Sequence, residues 1–170
     1  MIFTTHAITG ATIGVLSGNP ILGFIFGFIS HFVLDALPHF DQGSFYVDKD
    51  KGPAWLGAKY EDNKKKFVAN KRDWIILFID FGVAGIIGLY LLFALPTNLW
   101  LLLIFGGLGG ILPDVFDGSP FWRYKFRELK FGKIFHKVHS FFHWPLSMKY
   151  FYFGFFIQVV IVAVGLFLML

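Results

Sequence analysis

Two long hydrophobic runs, Trp74–Leu95 and Tyr150–Leu170, restrict this 170-residue chain to a helical membrane fold. A transmembrane helix needs about 20 mostly apolar residues. The first run is interrupted only by Asp80, and the second carries no charge. The apolar fraction of 56%, with 24 Phe, exceeds that of soluble domains. We therefore predict an integral membrane protein with a single domain over residues 1–170.

Three shorter apolar segments complete a predicted all-α bundle of about five helices. Ile21–Leu37 contains a histidine and an aspartate, and Leu99–Leu112 is short and rich in glycine. Thr5–Leu16 is the shortest segment. It lacks the basic region and the cleavage site of a secretory signal. We expect it to be retained as a short, partly inserted first helix.

Basic residues are concentrated in two polar loops, 40–73 and 113–140, which hold 14 of the 15 Lys and Arg. The other connections, Ser17–Pro20 and Pro96–Asn98, are uncharged turns. The positive-inside rule predicts that both basic loops and the N-terminus lie in the cytoplasm. Membrane anchoring explains the net charge of +4, so no nucleic-acid partner is expected.

All six histidines and five aspartates lie in or beside the hydrophobic segments. An aspartate at the centre of a membrane helix costs about 3 kcal/mol even on lenient scales, so it persists where it is paired, ligates a metal or lines a wet cavity. In the predicted topology every one of these residues falls near the cytoplasmic end. They are His6, His31, Asp35, His39, Asp41, Asp80, Asp114, Asp117, His136, His139 and His143.

Helical spacing groups several of these residues on shared faces. His31 and Asp35 are four residues apart, as two ligands on one helix face would be. The alternatives for this pair are metal ligation and hydrogen bonding at a helix end. Asp114 and Asp117 follow a glycine-rich segment, just past the predicted helix. They are either solvated acids at a helix end or carboxylates that bridge metal ions.

Three further histidines, His136, His139 and His143, form one stripe on a helix, and the last two have a spacing that lets imidazoles share a zinc ion. Interfacial packing is the alternative. Asp80 is surrounded by apolar neighbours, so its partner must come from another helix. It is a ligand, a support for a metal-bound histidine, or a protonated group bonded to a carbonyl.

The sequence contains no Cys, so any metal must be held by imidazole and carboxylate groups. The number of histidines favours Zn²⁺, with Mn²⁺ and Fe²⁺ as alternatives, and one or two ions are expected. Asp35 and Asp114 are the candidate catalytic residues. The candidate metal ligands are His6, His31, Asp35, His39, Asp80, Asp114, Asp117, His136, His139 and His143.

Four elements carry a family resemblance: Thr5-His6 with Gly10, Asp35-x-x-Pro38-His39, Pro113-Asp114-x-x-Asp117, and His139-Ser140. With them the chain resembles the membrane-bound metal-dependent hydrolases of bacterial and archaeal inner membranes, the YdjM-like group. It is more distantly similar to zinc-dependent phospholipase C. Val138 stands where the family has a threonine. The resemblance implies a metal site in a multi-pass protein of a prokaryotic cytoplasmic (inner) membrane.

These features predict a metal-dependent hydrolase that acts on a phospholipid or a lipid-linked phosphoester through activated water. The alternative is a transporter or binding protein for metal ions or protons that uses the same His/Asp cluster. A third interpretation is a scaffold whose Lys59–Arg72 segment binds lipid or a partner, which leaves the buried acids unexplained. Nothing in the sequence indicates an oligomer.

Overall fold

The computed structural model describes residues 1–41, 44–45, 55 and 71–170, and within these ranges the chain is helical. Most of the predicted loop 40–73 therefore lies outside the described residues. The described part contains seven α-helices. They are α1 (Phe3–Ser17), α2 (Pro20–Asp35), α3 (Lys71–Ala94), α4 (Trp100–Asp117), α5 (Arg123–Glu128), α6 (Lys130–Phe142) and α7 (Phe151–Met169).

Three helical stretches are long and apolar enough to cross a membrane: Lys71–Ala94, Thr97–Asp117 and Met148–Met169. The outer faces of α3 and α7 are strongly apolar and uncovered, with Phe93 87% exposed and Phe167 82% exposed. Apolar surface of this kind needs lipid or a partner to cover it. This is the architecture of a helical membrane protein.

The five predicted segments correspond to α1, α2, α3, α4 and α7, and two helices were not predicted. Helix α5 lies in the 113–140 segment predicted as a loop, and α6 begins in this segment and ends just beyond it, at Phe142. Lysines and arginines separate the apolar residues of both helices, so neither helix contains a long apolar run. The apolar residues of α6 nevertheless recur at helical spacing, as in an amphipathic helix.

The end of α4 also differs from the prediction. The helix continues through Pro113 to Asp117, so Asp114 and Asp117 lie in its last turn and not beyond it. A proline removes only one backbone hydrogen bond of a helix, and in membrane helices neighbouring groups compensate for the loss. The two carboxylates are therefore held on a regular helix.

The centre of the bundle is α1, which packs against α2, α3, α4 and α7. Glycines allow the closest approach, because a Cβ at Gly10 would overlap the carbonyl of Gly106 on α4. With 15 residues α1 is about 22 Å long, too short to cross the hydrocarbon layer, which is about 30 Å thick. Its polar residues Thr5 and His6 are fully buried by the surrounding helices.

Two connections fix the helices that carry the histidines. Gly18, with φ of +63°, ends α1, and the side chain of Asn19 accepts hydrogen bonds from the first N–H groups of α2, which confirms the predicted turn. The segments after α2 and α6 run side by side. Trp144 N–H donates to the Asp35 carbonyl at 2.9 Å, and Leu146 N–H donates to the His39 carbonyl at 2.8 Å.

Candidate metal centre

Asp35, at the end of α2, is the point on which the candidate residues converge. Its side chain is fully buried, and five polar groups approach its two oxygens. Oδ2 lies 3.3 Å from His31 Nε2 and 3.1 Å from His139 Nε2. Oδ1 lies 3.1 Å from His6 Nε2, 3.9 Å from His39 Nε2 and 2.5 Å from the α-amino group of Met1.

The first site, as we call it, consists of His31, Asp35, Asp114 and His139. The two Nε2 atoms are 3.1 Å apart, and each lies 3.7 Å from Asp114 Oδ1. A tetrahedral zinc ion with bonds of about 2.0–2.1 Å holds its ligand atoms about 3.3 Å apart. The separations among His31 Nε2, His139 Nε2 and Asp35 Oδ2, from 3.1 to 3.3 Å, therefore suit a single ion of this size, and Asp114 Oδ1 lies slightly farther out.

Both imidazoles of the first site present Nε2 lone pairs to one another. His31 Nδ1–H donates to the Gly110 carbonyl at 2.8 Å, and His139 Nδ1–H donates to Asp117 Oδ2 at 3.0 Å. Each neutral ring therefore carries its proton on Nδ1 and leaves Nε2 as an acceptor. Two acceptors at 3.1 Å, facing carboxylate oxygens, repel each other unless a positive charge lies among them.

A proton is one such charge. Burial disfavours the charged ring of His139, but hydrogen bonds to Asp117 and Asp35 raise its pKa to about 10. A divalent metal ion is the other, and the ligand atoms of His31, Asp35 and His139 lie close enough to share it. The first site thus fits a metal ion by its distances, and the ion would take the place of this proton.

The second site consists of Asp35, His39, Asp41 and His143. His39 Nδ1–H donates to the Leu37 carbonyl at 2.8 Å, while its buried Nε2 has no hydrogen-bond partner and lies 3.5 Å from Asp41 Oδ2. His143 Nε2 lies 2.8 Å from the same oxygen. Burial would raise the pKa of Asp41, but His143 and His39 hold it well below its usual range. An unsatisfied imidazole nitrogen between two carboxylates again fits a cation.

His6 completes the centre from α1. Its ring stacks on that of His31 with centroids 3.8 Å apart, and its Nε2 lies 4.0 Å from Asp114 Oδ2. Its Nδ1 is buried and has no hydrogen-bond partner. Three groups of these residues have ligand atoms close enough to share an ion: His6 with His31 and Asp114, His31 with Asp35 and His139, and Asp35 with His39 and His143.

Asp117 and His136 lie behind the centre. Asp117 accepts from His139 Nδ1, from His136 Nδ1 at 2.9 Å and from Arg127 Nε at 2.7 Å. A carboxylate in this position fixes the tautomer and the orientation of a metal-binding histidine. The sequence analysis includes both residues among the ligands; their contacts make them supports of His139.

Asp80 lies apart from the centre. Its Oδ2 accepts from the Phe3 N–H at 2.6 Å, and its Oδ1 accepts from the Thr4 N–H at 3.0 Å and the Thr4 hydroxyl at 2.6 Å. These are the free N–H groups at the start of α1, where a negative charge is favourable. Asp80 therefore caps α1 from a neighbouring helix, and it belongs to none of the His/Asp groups of the described residues.

Three polar residues outside the predicted set of ligands also have defined contacts. Asp41 faces both histidines of the second site, Arg127 holds Asp117, and the buried Gln158 on α7 joins the Ile2 N–H to the Phe40 carbonyl. Gln158 is a polar amide within the apolar run of α7, and this contrast could have identified it from the sequence. Arg127 lies among other basic residues and carries no such signal.

Comparisons with known proteins give no relative. No family model matches the chain, and neither a curated protein nor a solved structure is significantly similar to it. The geometry of the centre is therefore the ground for any functional proposal.

Proposed function

We propose that the protein is a membrane-embedded, metal-dependent hydrolase that cleaves a phospholipid or a lipid-linked phosphoester. The observation that carries the proposal is the first site, where two imidazole nitrogens and a carboxylate oxygen lie within 3.1 to 3.3 Å of one another, the spacing of ligand atoms around a single zinc ion. The suggested relationship to the YdjM-like hydrolases agrees with it. Orientation in a prokaryotic inner membrane, with the basic segments in the cytoplasm, is part of the same proposal.

Zinc is the ion that we propose for the first site, with Mn²⁺ and Fe²⁺ as alternatives. The ligands are nitrogen and oxygen, and two imidazoles favour a borderline ion over Mg²⁺ or Ca²⁺. A second ion would bind at the second site. Asp35 would serve both, because its Oδ2 faces His31 and its Oδ1 faces His39.

The two aspartates of the first site have different surroundings and so are given different roles. The Asp35 side chain is fully buried, whereas that of Asp114 is 28% exposed. We assign Asp35 to holding the centre together and Asp114 to contact with water and substrate. The partial exposure of the Asp114 side chain would give water access to the first site.

A bound metal ion would polarise the scissile group and lower the pKa of water toward about 7. The water oxygen then forms a bond to phosphorus, the ester P–O bond breaks, and the leaving oxygen takes a proton. Asp114 is placed to accept the proton that the water loses. Arg127, through Asp117, keeps the His139 ring in its orientation throughout.

Metal content is the first test. Protein purified without added metal should carry at least one transition-metal ion per chain by elemental analysis, and chelation should lower its thermal stability. Glu128→Gln, an exposed carboxylate on α5, is the control and should keep the metal. Protein without a transition metal, and with a melting temperature unchanged by chelators, would refute the metal centre.

Activity is the second test. Release of phosphate or headgroup from lipid substrates should require the metal and vanish in Asp35→Ala and Asp114→Ala. Retained activity in both variants would exclude hydrolysis at this centre. Metal uptake into proteoliposomes, absent from the same two variants, would instead favour the transporter.

A further inference from the structure

An apolar groove lies between α2 and α6, on the far side of Phe32 from the metal centre. Its volume is about 470 Å³, and its walls are Ile29, Phe32 and Val33 from α2 and Val138 and Phe142 from α6, with no polar residue in the lining. Ligand pockets commonly have volumes of about 300–1,000 Å³, lined mostly by apolar groups. A wholly apolar lining offers nothing to a polar ligand and suits a hydrocarbon chain.

The groove adjoins the first site. The Phe32 ring lies 5.6 Å from the ring of His31 and 6.0 Å from the ring of His139, measured between centroids. Phe32 is thus the wall shared by groove and centre. If the apolar part of a molecule lay in the groove, only the Phe32 ring would separate it from the proposed metal ligands His31 and His139.

The open side of the groove is continuous with the membrane-facing surface. Along α2, Phe26, Ile29 and Val33 are about half exposed or more, so an apolar stripe leads along the helix into the groove. The exposed apolar residues Phe131 and Ile134 extend this surface along α6. Lipid from the bilayer therefore reaches the groove without crossing polar surface.

Charge on α6 identifies the kind of lipid. Lys130, Lys133 and Lys137 are exposed along one side of the helix, beside its apolar stripe. An amphipathic helix of this type lies in the headgroup layer, with its lysines near anionic phosphates. The groove would then open at the depth where acyl chains meet phosphate groups.

We propose that this groove binds an acyl chain of an anionic phospholipid and brings its phosphate to the first site. The proposal rests on the proposed function and specifies its substrate: a phosphoester with a long chain. An acyl chain is preferred over a helix of another protein as occupant because the groove opens onto bilayer and is flanked by lysines.

Two variants fill the groove: Val33→Trp and, as an independent second, Val138→Trp. Val164→Trp on α7 is the matched control, because Val164 is 51% exposed and lies outside the groove. All three should keep the metal of the unmodified protein, which shows that the fold is intact. The protein is reconstituted in vesicles of phosphatidylglycerol and phosphatidylethanolamine with a trace of phosphatidylglycerol carrying a diazirine near the end of one acyl chain.

The expected result has two parts. Photolabelling of peptides from α2 and α6 is saturable, and it is lost in both groove variants but not in Val164→Trp. With phosphoesters dissolved in water below their micelle concentration, hydrolysis prefers long chains, and kcat/KM rises by about fourfold for each methylene that moves from water into the groove. In the groove variants this preference disappears, whereas Val164→Trp keeps it.

Other outcomes separate the two proposals. Cleavage of short and long substrates with equal efficiency, or labelling unchanged in the groove variants, would overturn the groove and leave the hydrolase. Failure to cleave any phosphoester by the metal-loaded protein would overturn the hydrolase and, with it, the substrate role of the groove.

Discussion

The first and second sites share Asp35 but are built on different supports. His31, Asp114 and His139 project from α2, α4 and α6, and Gly110 and Asp117 hold the two rings. In the second site His39 follows α2 and His143 follows α6, outside the helices. The His143 side chain is 24% exposed, against 7% for His139. Ligands on rigid elements hold a metal more closely, so we expect tighter binding and slower exchange at the first site.

The substitution Asp35→Asn tests what the two sites share. It removes the carboxylate that faces both of them, so we expect loss of metal from each site and loss of all hydrolysis. The buried cations that Asp35 now balances would also lose their partner, which costs about 3 kcal/mol or more. Elemental analysis and thermal unfolding in detergent measure the two effects. A variant that keeps its full metal content would show that the shared carboxylate is not a ligand.

The substitutions His31→Ala and His143→Ala should separate the sites. His31→Ala is expected to abolish activity and remove the more slowly exchanging metal, because two imidazoles are the core of the first site. His143→Ala should remove only one equivalent of metal, the one that exchanges rapidly. Dialysis against a chelator, followed by metal analysis over time, distinguishes the two. Equal metal loss in both variants would mean that the centre binds its metal as one unit.

The same contrast explains what could be predicted from the sequence. The runs that became α3 and α7 are long and apolar, and membrane thickness alone requires them to be helices. The spacing of His31 and Asp35 predicted a shared face of one helix. Helix α6 is not among the five predicted helices because its three lysines interrupt a periodic apolar pattern. A continuous apolar run identifies a membrane-spanning helix, whereas an interfacial helix is recognised by the period of its apolar residues.

The partners within the centre could not be assigned in this way. Membership of a polar layer follows from the topology, but the tilt and rotation of packed helices decide which atoms meet. Asp80 illustrates the difference, because a burial cost requires only that some partner exist. The partner is the start of α1, and no local pattern in the sequence distinguishes an N-terminal helix end from a histidine.

Asp117→Asn should weaken the first site without removing a ligand. The amide cannot match the charge that holds His139, His136 and Arg127, and loss of such a partner typically costs about 10- to 100-fold in metal affinity. The second site has no contact with Asp117 among the described residues and should keep its affinity. Competition with a fluorescent chelator measures both. Unchanged affinity at the first site would show that His139 is oriented by packing alone.

A pH titration should sharpen the comparison further. The pKa of His139 is raised from 6.5 to about 10, so in the metal-free protein the charged ring contributes stability below pH 6.5 that is lost as the pH rises through about 10. Metal must displace this proton, so affinity at the first site should rise by about tenfold per pH unit between about pH 6.5 and 8. Burial lowers the pKa of His39, so that ring of the second site has no proton to displace. Affinity independent of pH at the first site would contradict this.

Asp80→Asn should produce the smallest change, and one that leaves both sites intact. Asp80 accepts from Phe3 N–H, Thr4 N–H and the Thr4 hydroxyl, so the amide loses the charge at the start of α1 and some of these bonds. Removal of a helix cap costs about 1 kcal/mol, and we expect a drop of this size in the free energy of unfolding. Ser30→Ala, which removes a local hydroxyl bond to the Gly27 carbonyl on α2, is a control for loss of a single hydrogen bond. Metal content and exchange should match those of the unmodified protein, because Asp80 contacts the helix end and neither site. Loss of metal in Asp80→Asn with an unchanged melting temperature would instead give Asp80 the ligand-supporting role that its position in an apolar run suggests.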